Sequence, residues 1–289
     1  MSPLGRTTVG VLGSAIDALS WEDALTRITL WAARGESRYV CACNAHSLVT
    51  ADIDPSFRDV INNADMALAD GMPIAWSLGK LGFPEQERIS GPDLMWRLCE
   101  RTAACGLKVF LYGSMPRTLS RLQTNLKAHF PRLQIVGAAS PPYRLQSEEE
   151  DRAAIELINA SGAAIVFIGL GCPKQERWMA QHRGAIRAVM IGVGAAFDYH
   201  AGTLKRAPFW MQRRGLEWLY RLLREPKRLW RRYLKTNTVF MLRITEQFIR
   251  EHKRAVEHVP VSTETAEPGA AHRVISVEAP DWKENSKQR

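Results

Sequence analysis

Asp70 stands directly before Gly71, at the end of the apolar run 66–69. A carboxylate partly withdrawn from water at such a chain reversal can act as a general base. The same Asp-Gly pair is also an ordinary turn signal. Asp65, in the same apolar stretch, shares the first reading. Arg88 and Asp93 flank the tight stretch Ile-Ser-Gly91-Pro. Arg88 either pairs with Asp93 or grips a phosphate through its planar fork, and Asp93 alternatively serves only as a first-turn helix acid. Gly169-Leu-Gly171-Cys-Pro-Lys174-Gln175 reads as a glycine turn feeding a helix. That arrangement presents backbone N–H groups and a positive helix end to a phosphate. Lys174 and Gln175 then sit on the first helical turn, facing the ligand, although the glycines also suit a plain chain reversal. The dinucleotide fingerprint is not met: its third glycine is replaced by Lys174 and the acidic residue about 20 positions on is missing.

Other candidates carry less chemistry. Asp52-Ile-Asp54 has the spacing of a metal-holding pair, but its place at a helix start explains it equally well. His46 and His200 lack metal-ligand spacing and read as hydrogen-bonded loop residues. Cys41 and Cys43, two apart in an apolar run, share one face of a strand as free thiols. No metal or cofactor is expected.

Strands must position these groups. Near-continuously apolar runs at 8–12, 38–43, 108–112, 133–138, 163–168 and 187–193 alternate with helical stretches at 20–33, 55–62, 92–104, 116–130, 147–160 and 173–181. Apolar strands alternating with helices imply a parallel sheet covered on both faces. Gly113, Gly169, Gly171, Gly192 and Gly194 then gather at its carboxyl edge, where open α/β sheets bind ligands. From Pro208 two helices follow, 208–224 and 226–250.

The chain has 289 residues, 46% hydrophobic and 24% charged, which excludes wholesale disorder, collagen and coiled coil. Its net charge is +9. Residues 205–254 hold fifteen basic and four acidic residues, a net +11, so the rest is nearly neutral at −2. Arg221, Arg228 and Arg231 fall on one helical side if the chain runs nearly straight past Pro226. Trp210, Trp218, Tyr220, Trp230 and Tyr233 interleave with them. Arginine mixed with Trp and Tyr suits the headgroup zone of an anionic membrane surface. A solvated charged helix is the plainer reading, and a nucleic-acid surface a third one. No helix-turn-helix, zinc-finger or RNP pattern supports the last. The longest apolar runs fall short of the roughly 18–20 residues of a membrane span, and no leader sequence is evident. The expected organisation is an α/β domain at 1–204, a basic aromatic-rich helical appendage at 205–255 and a disordered tail at 256–289.

Taken in order, Asn44-Ala-His46, Ala64-Asp65 through Asp70-Gly71-Met-Pro, Arg88-x-x-Gly91-Pro-Asp93, Val109-Phe-Leu-Tyr-Gly113, Gly169-Leu-Gly171-x-Pro-Lys-Gln175-Glu176, Gly192-Val-Gly-Ala-Ala-Phe197-Asp198, Arg206-Ala-Pro-x-Trp210, Gly215-Leu-Glu-Trp-Leu-Tyr-Arg221 and Glu225-Pro-x-Arg228 resemble the WecG/TagA/CpsF family of bacterial glycosyltransferases (family 26) over about residues 8–245. The resemblance implies a Rossmann-like, mostly parallel α/β fold with a C-terminal basic helical appendage. It implies a cytoplasmic enzyme peripherally attached to the inner membrane, working in exopolysaccharide or other cell-surface polysaccharide biosynthesis. Such an enzyme moves a sugar from a UDP-sugar to a polyprenyl-diphosphate-linked acceptor, with inversion and without metal. By motif, Asp70 matches the family's base, and Asn44, Arg88, Gln175, Arg221, Arg228 and Arg231 its substrate-binding residues. Asp93, Gly113, Gly171 and Lys174 join the candidate binding set from the geometry above. Many members carry Thr-x-Asn where this chain has Ala42-Cys43-Asn44. The rival expectation is a non-catalytic α/β protein binding nucleic acid or membrane through its basic segment.

Overall fold

The computed structural model describes residues 6–144 and 146–257. In chain order the elements are β1 (Thr8–Val11), β2 (Ser14–Asp17), α1 (Trp21–Ala33), β3 (Arg38–Cys43), α2 (Ala45–Ile53), α3 (Pro55–Asn62), β4 (Met66–Ala69), α4 (Met72–Lys80), α5 (Gly91–Cys105), β5 (Lys108–Gly113), α6 (Pro116–His129), β6 (Gln134–Ala139), α7 (Glu148–Ser161), β7 (Ile165–Gly169), α8 (Lys174–His182), β8 (Val189–Gly192), α9 (Ala196–His200), α10 (Phe209–Arg213), α11 (Glu217–Arg224) and α12 (Pro226–Glu257). The chain divides into a large unit, Met1–Ile249, and a short one, Arg250–Arg289. The description below concerns the first. Of the tail expected at 256–289, residues 258–289 lie outside the described residues.

β3 to β8 form a six-stranded, wholly parallel sheet in the order β4-β3-β8-β7-β5-β6. Parallel strands joined by helices bury both faces, and the core divides accordingly. Tyr39, Cys41 and Cys43 of β3 pack on one side with Phe57, Ile74 and Met179. Val40 of the same strand packs on the other with Ile28, Leu98 and Phe197. The shared face expected for Cys41 and Cys43 follows from this period of two, and all five cysteines are free. β3 leads outward to β4 and β5 outward to β6, so the strand order reverses between them, which opens a crevice at the carboxyl edge.

Local signals account for the helix starts. Ser20 and Asp23 cap α1 reciprocally, Asp54 caps α3, Ser90 caps α5 and Ser147 with Glu150 caps α7. Several elements depart from the sequence reading. β2 pairs with β1 as a tight antiparallel hairpin whose turn residues Leu12 and Gly13 both have positive φ (49° and 78°), and leucine is not a turn marker. α2 and α4 were not anticipated, and Asp52-x-Asp54 spans the junction of α2 and α3 rather than one helix start. Asp52 faces Arg243 at 3.5 Å while Asp54 binds Arg177. The single helix expected at 208–224 is two, because Gly215 turns the chain at φ 70°. A Cβ at that position would lie 3.0 Å from the Met72 side chain, so the glycine lets this segment close onto α4.

Gly113 ends β5 opposite Gly169 in register. Its φ is 121°, and a Cβ would come within 2.6 Å of the Gly169 carbonyl. Gly113→Ala should therefore destabilise the protein by about 2 kcal/mol or more, from backbone strain and a forced shift of the strand end. Urea unfolding of the two proteins measures the difference, and equal midpoints would contradict the close approach.

Candidate functional site

Adjacent strand ends set the centre. Cys43 and Ala69 are register partners, so Asn44 and Asp70 leave the sheet side by side. The Asp70 N–H donates to the Cys43 carbonyl at 2.9 Å. Asn44 is the N-cap of α2, its Oδ1 accepting from the His46 and Ser47 N–H groups, and its side-chain amide is turned to the Asp70 carboxyl. The Gly91 N–H, at the start of α5, donates to Asp70 Oδ1 at 3.2 Å. Burial raises the Asp70 pKa; Arg88 opposes that and the Glu217 carboxylate reinforces it, while the Gly91 and Asn44 hydrogen bonds lower it, and the net direction is up. A carboxylate held there by burial and met by donors is a better base than a free aspartate.

Arg88 and Asp93 are brought into one network, but not to each other. Arg88 Nη2 binds Glu217 Oε2 at 2.9 Å, with side chains only 13% and 18% exposed, and Nη1 reaches the Gln212 carbonyl at 3.5 Å. Asp93 instead takes both Nη groups of Arg206, at 2.5 and 2.8 Å. Arg206 Nε closes the network on Glu217 Oε1 at 3.3 Å. Burial pushes Asp93 up, but the hydrogen bonds from Arg206 and Ser90 outweigh it and the net shift is down. The sequence reading missed Arg206 and Glu217: both lie in quoted motif stretches, but a lone glutamate in a basic segment carries no local mark of its partner 129 residues away.

At the next strand ends, Lys174 and Gln175 part company. Lys174 is exposed on the first turn of α8. Gln175 is buried at 4%, its Oε1 accepting from the Gly171 N–H at 3.1 Å and its Nε2 donating to Glu176 at 2.9 Å. It braces the Gly171 turn from inside. Glu176, equally buried, has its pKa raised by that burial. Asp65 lies at the other end of β4, between Arg38 and Arg183. His200 donates its Nε2–H to the Pro92 carbonyl at 2.9 Å and stacks on Trp96.

The late arginines do not share one side. The helix breaks at Glu225 (φ −130°, ψ 55°), which resets the phase between Arg221 and the rest. Arg228 is exposed and pairs with Glu225, and Arg231 lies exposed over Trp230. Arg221 packs over the Tyr199 ring at 5.9 Å. Its Nε and the Tyr199 hydroxyl are buried without a protein partner, as are Arg232 Nε and His46 Nδ1. Burial, then the Arg232 charge, lowers the His46 pKa, so Arg232 reaches the start of α2. The inward pair is therefore Arg221 and Arg232, and sequence spacing did not single out Arg232. Beside the network an open groove of about 690 Å³ runs between α4 and α10, lined by Met72, Trp76, Lys80, Arg88, Phe209 and Arg213 among others. Phe209, Trp210, Leu223, Trp230 and Leu234 are exposed at 48% or more on α10–α12. No helix among the described residues is long and apolar enough to cross a membrane.

The raised Asp70 pKa has a stability consequence. Ionised Asp70 costs the folded state stability above its folded pKa, and the cost fades as pH falls towards the ordinary carboxylate range. Asp70→Asn should raise Tm by a few degrees at pH 7, with the gain gone near pH 4. Scanning calorimetry at both pH values checks this; a lower Tm at pH 7 would contradict the burial.

Residues 9–254 match the family model described as Glycosyl transferase WecG/TagA/CpsF family. The matched span takes in Asn44, Asp70, the Arg88–Glu217 network and both inward arginines.

Proposed function

Because the chain belongs to the WecG/TagA/CpsF glycosyltransferase family, whose activity serves cell-surface polysaccharide biosynthesis, we propose that it moves a sugar from a UDP-sugar to a polyprenyl-diphosphate-linked saccharide, inverting the anomeric centre and using no metal. Asp70 is the base in this reading. It takes the proton of an acceptor hydroxyl while that oxygen bonds to the anomeric carbon and the bond to UDP breaks. The observation that carries the assignment is the Asp70 carboxyl itself, half-buried at the sheet edge, shifted upward by desolvation and yet oriented by the Gly91 N–H.

Negative charge grows on the departing diphosphate and has to be met by preorganised donors. Arg221 and Arg232 are suited to it, since both carry buried guanidinium nitrogens without a protein partner. The α2 start and the Gly169–Gly171 turn add backbone donors of the kind phosphates use. Asn44 orients the sugar side of the donor beside Asp70, Arg88 stays paired with Glu217, and the groove along Trp76 and Phe209 offers an aromatic and cationic path for the acceptor. Asp93, Gly113 and Gln175 act around these groups, by pairing, turning and bracing the chain in that order, and Lys174 stands exposed on the first turn of α8. Within this reading residues 1–204 carry the base and the phosphate-binding turns, and 205–255 supply Arg221 and Arg232 together with the attachment to the cytoplasmic membrane face. Exposed aromatics beside Arg213, Arg214, Arg224, Arg228 and Arg231 support such attachment, each basic residue near an anionic bilayer contributing about 1 kcal/mol.

Asp70→Asn should lower UDP release by at least about a hundredfold while leaving the thermal shift induced by UDP intact. Arg232→Ala should reduce turnover more than Arg228→Ala. A screen of UDP-sugars with a polyprenyl-diphosphate-linked saccharide measures both. Near-normal turnover of Asp70→Asn would overturn the base, and stabilisation by duplex DNA or RNA but not by UDP would overturn the enzyme reading.

A further inference from the structure

Arg88 is carried to Asp70 by the chain that follows it, since the Ile89 N–H donates to the Ala69 carbonyl at 2.9 Å and the Gly91 N–H to Asp70 Oδ1 at 3.2 Å, and its charge acts on that carboxyl; yet both ends of its guanidinium are engaged elsewhere. Nη2 binds Glu217 and Nη1 reaches the Gln212 carbonyl. Gln212 and Glu217 flank the Gly215 turn, which is pressed against Met72, two residues from Asp70. Glu217 is itself held by Arg206, and Arg206 by Asp93 on α5. The network alternates charge, is largely enclosed, and joins the C-terminal helices to the carboxyl edge of the sheet.

We propose that Glu217 is a positioning residue for Asp70: it neutralises Arg88 and keeps that guanidinium from closing onto the carboxylate, so the base is competent only with α11 seated. The inference rests on the reading of Asp70 as the base. A free Arg88 beside Asp70 would form the commoner Arg–carboxylate pair, and a paired carboxylate is a weak base. The groups facing Asp70 are few. They are Arg88 before α5, Glu217 on α11, the neutral Asn44 amide, the Gly91 N–H and the Cys43 thiol on β3, which burial keeps protonated.

The test uses the full-length protein. Glu217→Gln removes the charge and keeps the shape. Unscreened Arg88 then lowers the Asp70 pKa, so the acid limb of the kcat/KM–pH profile, which reports the free enzyme, should move down by about one pH unit, with up to about a tenfold loss of kcat/KM on the plateau. Carboxyl carbon NMR of the substrate-free protein should show the Asp70 midpoint move by the same amount. Arg88→Gln added to Glu217→Gln should return that midpoint upward. An unmoved limb and midpoint in folded Glu217→Gln would overturn the proposal, even if turnover fell. Should the wild-type limb not coincide with the Asp70 midpoint, the base reading fails. The NMR titration would then still decide the coupling of Glu217 to Asp70.

Discussion

Parallel pairing of β3 with β4 is the constraint from which the site follows. It delivers Asn44 and Asp70 together, and three helices then start around one carboxylate: α2 at Asn44, α4 at Gly71 and α5 at Ser90. Each helix start is a positive pole that favours the ionised acid. Burial works against that, and it wins, since the net shift of Asp70 is upward. The protonation behaviour of Asp70 is thus a balance of opposing effects, desolvation and Glu217 against Arg88 and two hydrogen bonds, which makes it sensitive to one neighbouring charge. A solvated aspartate in a turn would have no such sensitivity.

The C-terminal helices are held by two different kinds of contact. Leu229, Phe240 and Ile244 of α12 are buried, and Trp76 meets Phe248 edge-on at 5.6 Å. Gln247 adds hydrogen bonds to the Gly10 carbonyl and the Leu12 N–H of the β1–β2 hairpin. These contacts do not need ions. α11, in contrast, has no buried apolar residue, and it reaches the site through Glu217. Enclosed ion pairs add little net stability once desolvation is counted, whereas losing one partner is costly. The apolar anchor therefore fixes α12, and the ionic network chiefly sets the register of α11 against Arg88.

How far this was legible in the sequence depends on the range of the signal. β3 and α3 were read to the residue, because a run of apolar β-formers and an Asp-Pro start are local. The β1–β2 turn was missed because Leu12 adopts a positive φ that its side chain disfavours. α4 hid behind Gly71 and Pro73, which read as a loop but here serve as N-cap and first turn. Within the site, Asp70 stood out by its place at the end of an apolar run, and Asn44 through the family motif. The partners of Arg88 and Asp93 did not, since a short-range reading offers only each to the other, and the fold gives both a partner from beyond residue 205. Arg231 and Arg232 are about 100° apart on a helix, so which one faces inward is a question of helix phase, and the break at Glu225 hides that phase from any count along the chain.

These ranges of interaction bear on how a soluble donor and a membrane-bound acceptor could meet in the proposed reaction. α10 and α11 carry Phe209, Trp210 and Leu223 outward and Gln212 and Glu217 inward. The outward groups are apolar and suited to a headgroup layer, while the inward ones hold Arg88, the cation that in the proposed reading would otherwise quench the base. One short segment, hinged at Gly215, thus couples the surface on which the acceptor would arrive to the protonation behaviour of the residue that would activate it. A base set by its own strand end alone would be equally active on either side of that encounter. Under the proposal its strength is tied to the Arg88–Glu217 ion pair, whose members lie 129 residues apart along the chain, so removal of α11 from the site is expected to silence Asp70 without altering a single residue of the sheet.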